Sequence, residues 1–169
     1  MAEEVVNFFI ICFKNNPRSF FLAVTYDDPT TMKKRLFEQG IDEGNFAFIK
    51  SSFDDVPKYF SLAHIGILLR KQELLNRVSC PLKFGEYLAA GIPVVLTKGI
   101  GDTESIVQEN NIGIIVNELH EDEYMNASKK VTQLLEDSEI KKRCQSVAKN
   151  YFSLNTSAEQ YFQIYTTLS

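Results

Sequence analysis

Tryptophan is absent from this chain, and histidine (two residues), cysteine (three) and proline (five) are scarce. Cys12, Cys80 and Cys144 are odd in number and widely spaced, with no paired histidines beside them, which excludes a zinc ligand set or a disulfide framework and fits a reducing, cytoplasmic setting. His64 and His120 stand apart; the first is expected to be structural and the second exposed. A basic surplus is lacking too. The net charge is -4 and the sequence pI about 5.3, with Lys and Arg scattered among acidic neighbours, so no nucleic-acid partner is expected. The longest apolar run, residues 5–13, is too short to span a bilayer, and Glu3 and Glu4 occupy the place where a secretory signal carries basic residues. Low-complexity tracts and repeats of 20 to 50 residues, as in solenoids, are also missing.

What is present is ample apolar material: 44% of the 169 residues, against 24% charged, enough for one domain spanning residues 1–169 with a sizeable core. Residues 3–14 read as a helix apolar on every side, which needs partners on more than one face. Short apolar runs at 20–25, 46–50, 65–69, 93–97 and 112–116 suit buried parallel strands. Between them the spacing predicts helices at about 30–39, 54–62, 82–90 and 103–110. Repetition of strand and helix at this interval implies right-handed βαβ units and a mostly parallel sheet. Three amphipathic helices follow, with apolar faces at Tyr124, Ala127, Val131 and Leu134, then Ile140, Cys144, Val147 and Tyr151, then Ala158, Tyr161, Tyr165 and Leu168. No linker separates them from the sheet.

Ligands of such sheets bind outside the carboxyl ends of the strands. Two loops leaving strands stand out: residues 70–81, long for this type of connection, and residues 98–102, which carry Gly99 and Gly101 ahead of a helix. Gly99, Gly101 and Asp102 are best read as a turn and helix cap, and Glu104 as complementing the helix dipole. Pro81 suits a helix start, and Gly91 with Pro93 ends that helix. Glu86, one turn inside it and between Leu82 and Ala89, is expected on a partly buried face. A carboxylate there needs partners, and a ribose diol offers two O–H donors at matching spacing. Lys83 could approach a phosphate, or could simply pair with Glu86 at i, i+3.

The stretch EYLAAGIPVV, with Glu86 at its head, closely resembles the donor-binding signature of retaining GT-B glycosyltransferases of the glycosyl transferases group 1 family, related to sucrose synthase and glycogen synthase. That signature is a Glu, seven residues, then a second Glu followed by small residues, Gly, x, Pro and Val-Val. Glu86 takes the place of the second Glu, which in the family hydrogen-bonds the ribose. Val78 stands where the first would be, so sugar recognition must use other groups; Glu73 is the nearest alternative carboxylate. The form SCPLKFGEYLAAG resembles a surface-polysaccharide-biosynthesis subgroup, which implies that Ser79, Cys80 and Pro81 line the sugar site and that Lys83 approaches the diphosphate. GIGDTESIVQENNIGIIV extends the likeness. By the same resemblance the loop Ser51, Ser52, Phe53 holds the nucleobase through backbone groups; by itself it reads equally as a polar turn with a helix cap.

The resemblance implies a Rossmann-like, doubly wound parallel sheet with helices on both faces, one lobe of a GT-B fold, with additional C-terminal helices. It implies transfer of a hexosyl group from an NDP-sugar of UDP or GDP type to a hydroxyl acceptor, with retention, in cell-surface polysaccharide biosynthesis. It implies no cofactor and no metal. An acceptor-binding N-terminal domain and an Arg/Lys segment that neutralises the diphosphate would precede Met1, so no catalytic residue is assigned within the chain and the chain alone is expected to be inactive. Peripheral membrane association would belong to the full-length protein only. A stand-alone α/β nucleotide-binding or signalling module is the alternative, although Asp27 and Asp28 lack the further acidic pocket of a receiver-like switch. A nucleotide-sugar epimerase of the same architecture is a third reading, with no acid or base nominated here.

Overall fold

The computed structural model describes residues 1–168; the side chains of Thr156, Gln160 and Leu168 lie outside the described set. The chain runs α1 (Ala2–Asn15), β1 (Phe21–Val24), α2 (Thr30–Glu38), β2 (Phe46–Ile49), α3 (Val56–Phe60), β3 (Gly66–Leu68), α4 (Leu74–Arg77), α5 (Leu82–Ala89), β4 (Val94–Thr97), α6 (Thr103–Asn110), β5 (Gly113–Val116), α7 (Glu121–Leu135), α8 (Ile140–Tyr151) and α9 (Leu154–Leu168). Every strand pairing is parallel, as the alternation of strand and helix requires. The strands form two ladders, β1 with β2, and β3-β4-β5 in that order.

Strand β4 explains why the second ladder is buried on both sides. Its residues are all buried, and they alternate. Val94 and Leu96 point into a cluster with Phe84 and Leu88 of α5, Ile106 and Val107 of α6, and Cys144 and Val147 of α8. Val95 points the other way, to Phe8 and Ile11 of α1 and Tyr124, Ala127 and Val131 of α7. Helices therefore cover both faces, which is the doubly wound, Rossmann-like arrangement expected from the sequence.

Helix α1 is apolar all round because it serves three neighbours. Phe8 and Ile11 pack on the β3-β4-β5 ladder, whereas Val6, Phe9 and Ile10 join Phe21 of β1, Leu36 of α2 and Phe46 of β2. Phe9 stacks on Phe21, with ring centroids 5.1 Å apart. The two ladders thus share one helix.

Several expected boundaries differ. The helix expected at 54–62 is a 3-10 turn, Phe53–Asp55, followed by the short α3, because Pro57 has no N–H to give and so fits only the first turn of a helix. Tyr151 is exposed, and Phe152, one residue on, packs edge-to-face on Phe84 instead. Ala158, Tyr161 and Tyr165 of α9 face outward rather than onto the core, and the side chain of Leu168 lies outside the described residues. No described helix is long and apolar enough to cross a membrane.

Candidate functional site

The carboxyl rim of the second ladder is built by the two loops singled out in the sequence, and they touch. Gly101, with φ of 51°, lies so close to Ser79 that a Cβ at that position would overlap the Ser79 carbonyl oxygen. Because Gly101 follows β4, this contact fixes the start of α5 at the strands' carboxyl ends. Within the 98–102 turn, the Gly99 N–H donates to Glu104 Oε2 at 3.1 Å, and the buried Thr103 hydroxyl donates to the Ile100 carbonyl at 2.6 Å. Asp102 sits at the cap position of α6, but its side chain makes no capping bond. The turn is structural, with Glu104 rather than Asp102 as its tie.

Pro81 caps α5 from just outside the helix, at φ -66° and ψ 124°, and is buried. On α5 the buried positions are Phe84 and Leu88. Leu82 is 85% exposed and Ala89 is exposed, so the face expected to bury Glu86 between them is the open face of the helix. Glu86 lies on that face, half-buried, and its carboxylate has no hydrogen-bond or ion-pair partner among the described residues. The Lys83–Glu86 pair does not form: Lys83 is exposed, and no ion pair joins the two.

Glu86 lines a cavity of about 760 Å³ between α3 and α5. Phe53, Val56 and Phe60 form one wall, and Ala89, Gly91 and Pro93 another. The cavity extends from Phe53 and Glu86 to His64 and Pro93, which precede β3 and β4, and is bounded there by Ile140 and Lys141. His64 is exposed at this end. Tyr87, beside Glu86, packs on Phe60 in a tilted arrangement with centroids 5.0 Å apart and covers Gly66, where a Cβ would come within 2.6 Å of its ring. Burial, with the Glu86 carboxylate second, pushes the Tyr87 phenol above its ordinary range.

Of the residues proposed from sequence, the structure brings Glu86 and Phe53 into one cavity. Phe53 is 83% exposed and free to stack. Ser51 and Ser52 do not line it: the Ser51 carbonyl accepts from the Tyr26 hydroxyl at 2.7 Å, and the Ser52 hydroxyl donates to Asp55 Oδ2 at 2.8 Å. Lys83, Ser79, Cys80 and Pro81 lie at the start of α5, outside that cavity. The Ser79 hydroxyl donates to the Asn76 carbonyl at 3.2 Å. Cys80 is exposed, yet partial burial and the nearby Asp102 carboxylate raise its thiol. Glu73 is exposed at the start of α4. Three or more His, Cys, Asp or Glu side chains placed to hold a metal do not occur among the described residues.

One rim residue escaped the sequence reading. Arg70 lies two residues past the end of β3; its N–H donates to the Thr97 hydroxyl at 2.9 Å, and its Nη1 donates to Asn76 Oδ1 at 3.1 Å. Asn76 Nδ2 in turn donates to the Lys71 carbonyl at 2.9 Å. Nothing in the motif flagged Arg70, because only the fold of the 70–81 loop brings Asn76 back to it.

Residues 57–160 match the family described as glucosyltransferase 3-like, C-terminal domain. A stretch covering 55% of the chain is 34% identical over 99 residues to glucosyltransferase 3 of Streptococcus parasanguinis, of which it spans 28%. Among solved structures, WaaG, a glycosyltransferase involved in lipopolysaccharide biosynthesis, superposes with a TM-score of 0.65 at 16% identity, covering 88% of this chain and 38% of that one. That likeness carries the fold: a lobe of the GT-B type.

Proposed function

The chain belongs to the family of glucosyltransferase 3-like C-terminal domains, and from that premise we propose that it is the donor-binding half of a two-domain transferase. In this reading the chain holds a nucleotide diphosphate sugar while a second, acceptor-binding lobe brings the hydroxyl that receives the sugar. The bond from the anomeric carbon to the diphosphate oxygen breaks, a bond to the acceptor oxygen forms, the acceptor proton is lost, and the nucleoside diphosphate departs. Closing two lobes over the donor would supply orientation and exclude water.

The observation that carries the proposal is the unpartnered carboxylate of Glu86 at the edge of an apolar cavity. A half-buried carboxylate without partners is unfavourable until something donates to it. A ribose 2′,3′-diol supplies two donors at the spacing of the carboxylate oxygens. Phe53, Val56 and Phe60 then offer the apolar wall that a nucleobase needs for stacking. The sugar would extend towards Ser79, Cys80 and Pro81, with Lys83 near the diphosphate. We assign no catalytic residue and no cofactor to this half. The hexosyl substrate, retention of configuration, a role in surface polysaccharide and a cytoplasmic location belong to the same proposal.

The related protein's name points to a glucosyl group, and UDP-glucose is the donor chosen for the first test. Calorimetric titration of the chain with UDP-glucose, UDP and GDP is expected to show binding that Glu86→Ala weakens by roughly 10- to 100-fold. Equal affinity in the two proteins removes the ribose role and the proposal with it. The signalling-module reading predicts instead no preference for a nucleotide diphosphate over free phosphate.

A further inference from the structure

Arg70 offers a second, independent anchor at the carboxyl rim, outside the cavity that Glu86 lines. Its guanidinium is half-buried at the carboxyl end of β3, and its partner, Asn76, is neutral. No ion pair involves Arg70, Lys71 or Lys98 among the described residues, in a chain whose net charge is -4. Lys71 and Lys98, both exposed, follow β3 and β4 at the same level. Of the acidic residues of these loops, Asp102 acts on Cys80, Glu104 is committed to the Gly99 N–H, and Glu73 is exposed at the start of α4 with no ion pair to Arg70.

A fixed cation is costly to hold out of water without a counter-charge. Here it is held on purpose-built supports. The Arg70 backbone is clamped to Thr97, which is 1% exposed, and the guanidinium is oriented by Asn76. Asn76 is itself tied to Lys71 and Ser79, and Ser79 rests on Gly101. One of five N–H donors is used by Asn76, which leaves the rest of the planar fork for an oxyanion. A parallel sheet places ligands at this rim.

We infer that Arg70 is an anion-contacting residue that takes the diphosphate of the bound nucleotide, with Asn76 as its positioning residue and Lys71 and Lys98 supplying the surrounding positive field. The inference deepens the proposed donor-binding role and rests on it for the identity of the ligand. The anion site itself is tested separately, with inorganic pyrophosphate as the probe.

The test is calorimetric titration of the whole chain at low ionic strength, where charge contacts are least screened, with pyrophosphate, uridine and UDP. Arg70→Gln is expected to weaken both pyrophosphate and UDP about tenfold, the loss of one charge-assisted contact, and to leave uridine unchanged. Asn76→Asp keeps Arg70 but gives it a carboxylate, and is expected to reduce anion binding similarly, which guards against a folding defect in Arg70→Gln. Circular dichroism melts verify that both variants are folded. UDP binding that is equal in wild type, Arg70→Gln and Asn76→Asp overturns the role of Arg70 and leaves the donor-binding proposal standing. Arg70-dependent pyrophosphate binding with no added affinity for UDP keeps the anion site and overturns the nucleotide reading. Absence of pyrophosphate and UDP binding in the wild type overturns the inference.

Discussion

The Tyr124 hydroxyl donates to Glu4 Oε2 at 2.6 Å and joins the first turn of α7 to the first turn of α1 across 120 residues of chain. Tyr124 is 2% exposed, and its ring meets Phe8 edge-on at 5.7 Å. The aromatic body is thus core while the polar tip reaches the one carboxylate at hand. Tyr124→Phe keeps the ring and loses the bond. It is expected to cost about 1–2 kcal/mol in denaturant unfolding at neutral pH.

The same bond sets a pH dependence. Burial, with Glu4 second, holds the Tyr124 phenol well above its ordinary range, so the folded state favours the protonated form. For a group raised in this way, the stabilisation is complete below the ordinary tyrosine pKa of about 10 and declines as pH rises through the folded value. The stability difference between wild type and Tyr124→Phe should be flat from pH 7 to 9 and shrink in strong alkali. A difference that grows with alkali would contradict the assignment.

Glu86 is expected to oppose stability while serving binding. Replacing it with Leu, which suits the apolar lining of the α3–α5 cavity, should leave unfolding stability unchanged or raise it by about 0.5–1 kcal/mol. Thermal and urea melts of Glu86→Leu measure this. A loss of more than about 1 kcal/mol would mean that the carboxylate has a structural partner.

Gly66 is a steric requirement of the β3–α5 packing. Its Cβ would meet Tyr87 Cδ2 at 2.6 Å and Cγ at 2.8 Å, and Phe60 blocks the ring's retreat. Gly66→Ala is expected to cost about 1–3 kcal/mol, and the double variant Gly66→Ala/Tyr87→Leu should recover much of it, since the two sites share one clash. Additive losses in the double variant would place the strain elsewhere.

The cysteines differ in access. Burial pushes the Cys12 and Cys144 thiols up to about 11, and Cys80 is the exposed one. Labelling the native chain with a disulfide reagent at pH 8 should modify Cys80 first, because thiolate is the reactive form. Asp102→Asn should speed that reaction, since the Asp102 carboxylate raises the Cys80 thiol.

Local chemistry made much of this fold readable. The apolar run that became β4 carries no polar position before Thr97, and Pro81 and Gly91 bracket α5 as their backbone constraints require. What could not be read depends on distant contacts. The division into two ladders is a matter of which strands pair, and the strand patterns are alike. The outward face of α9 has the same periodicity as the inward face of α7; only packing separates them. For the site, the motif led to Glu86, but the cavity wall opposite comes from Phe53, Val56 and Phe60, and Arg70 acquires its setting only when Asn76 folds back.

Helix α1 lies against both ladders, so a displacement of one relative to the other is felt along this rod of fourteen residues. Its two rows of side chains act as opposite jaws of one grip, Phe8 and Ile11 on the first side, Val6, Phe9 and Ile10 on the second. Loosening either row would weaken the coupling between the halves, so this one segment helps to make the whole molecule melt as a unit.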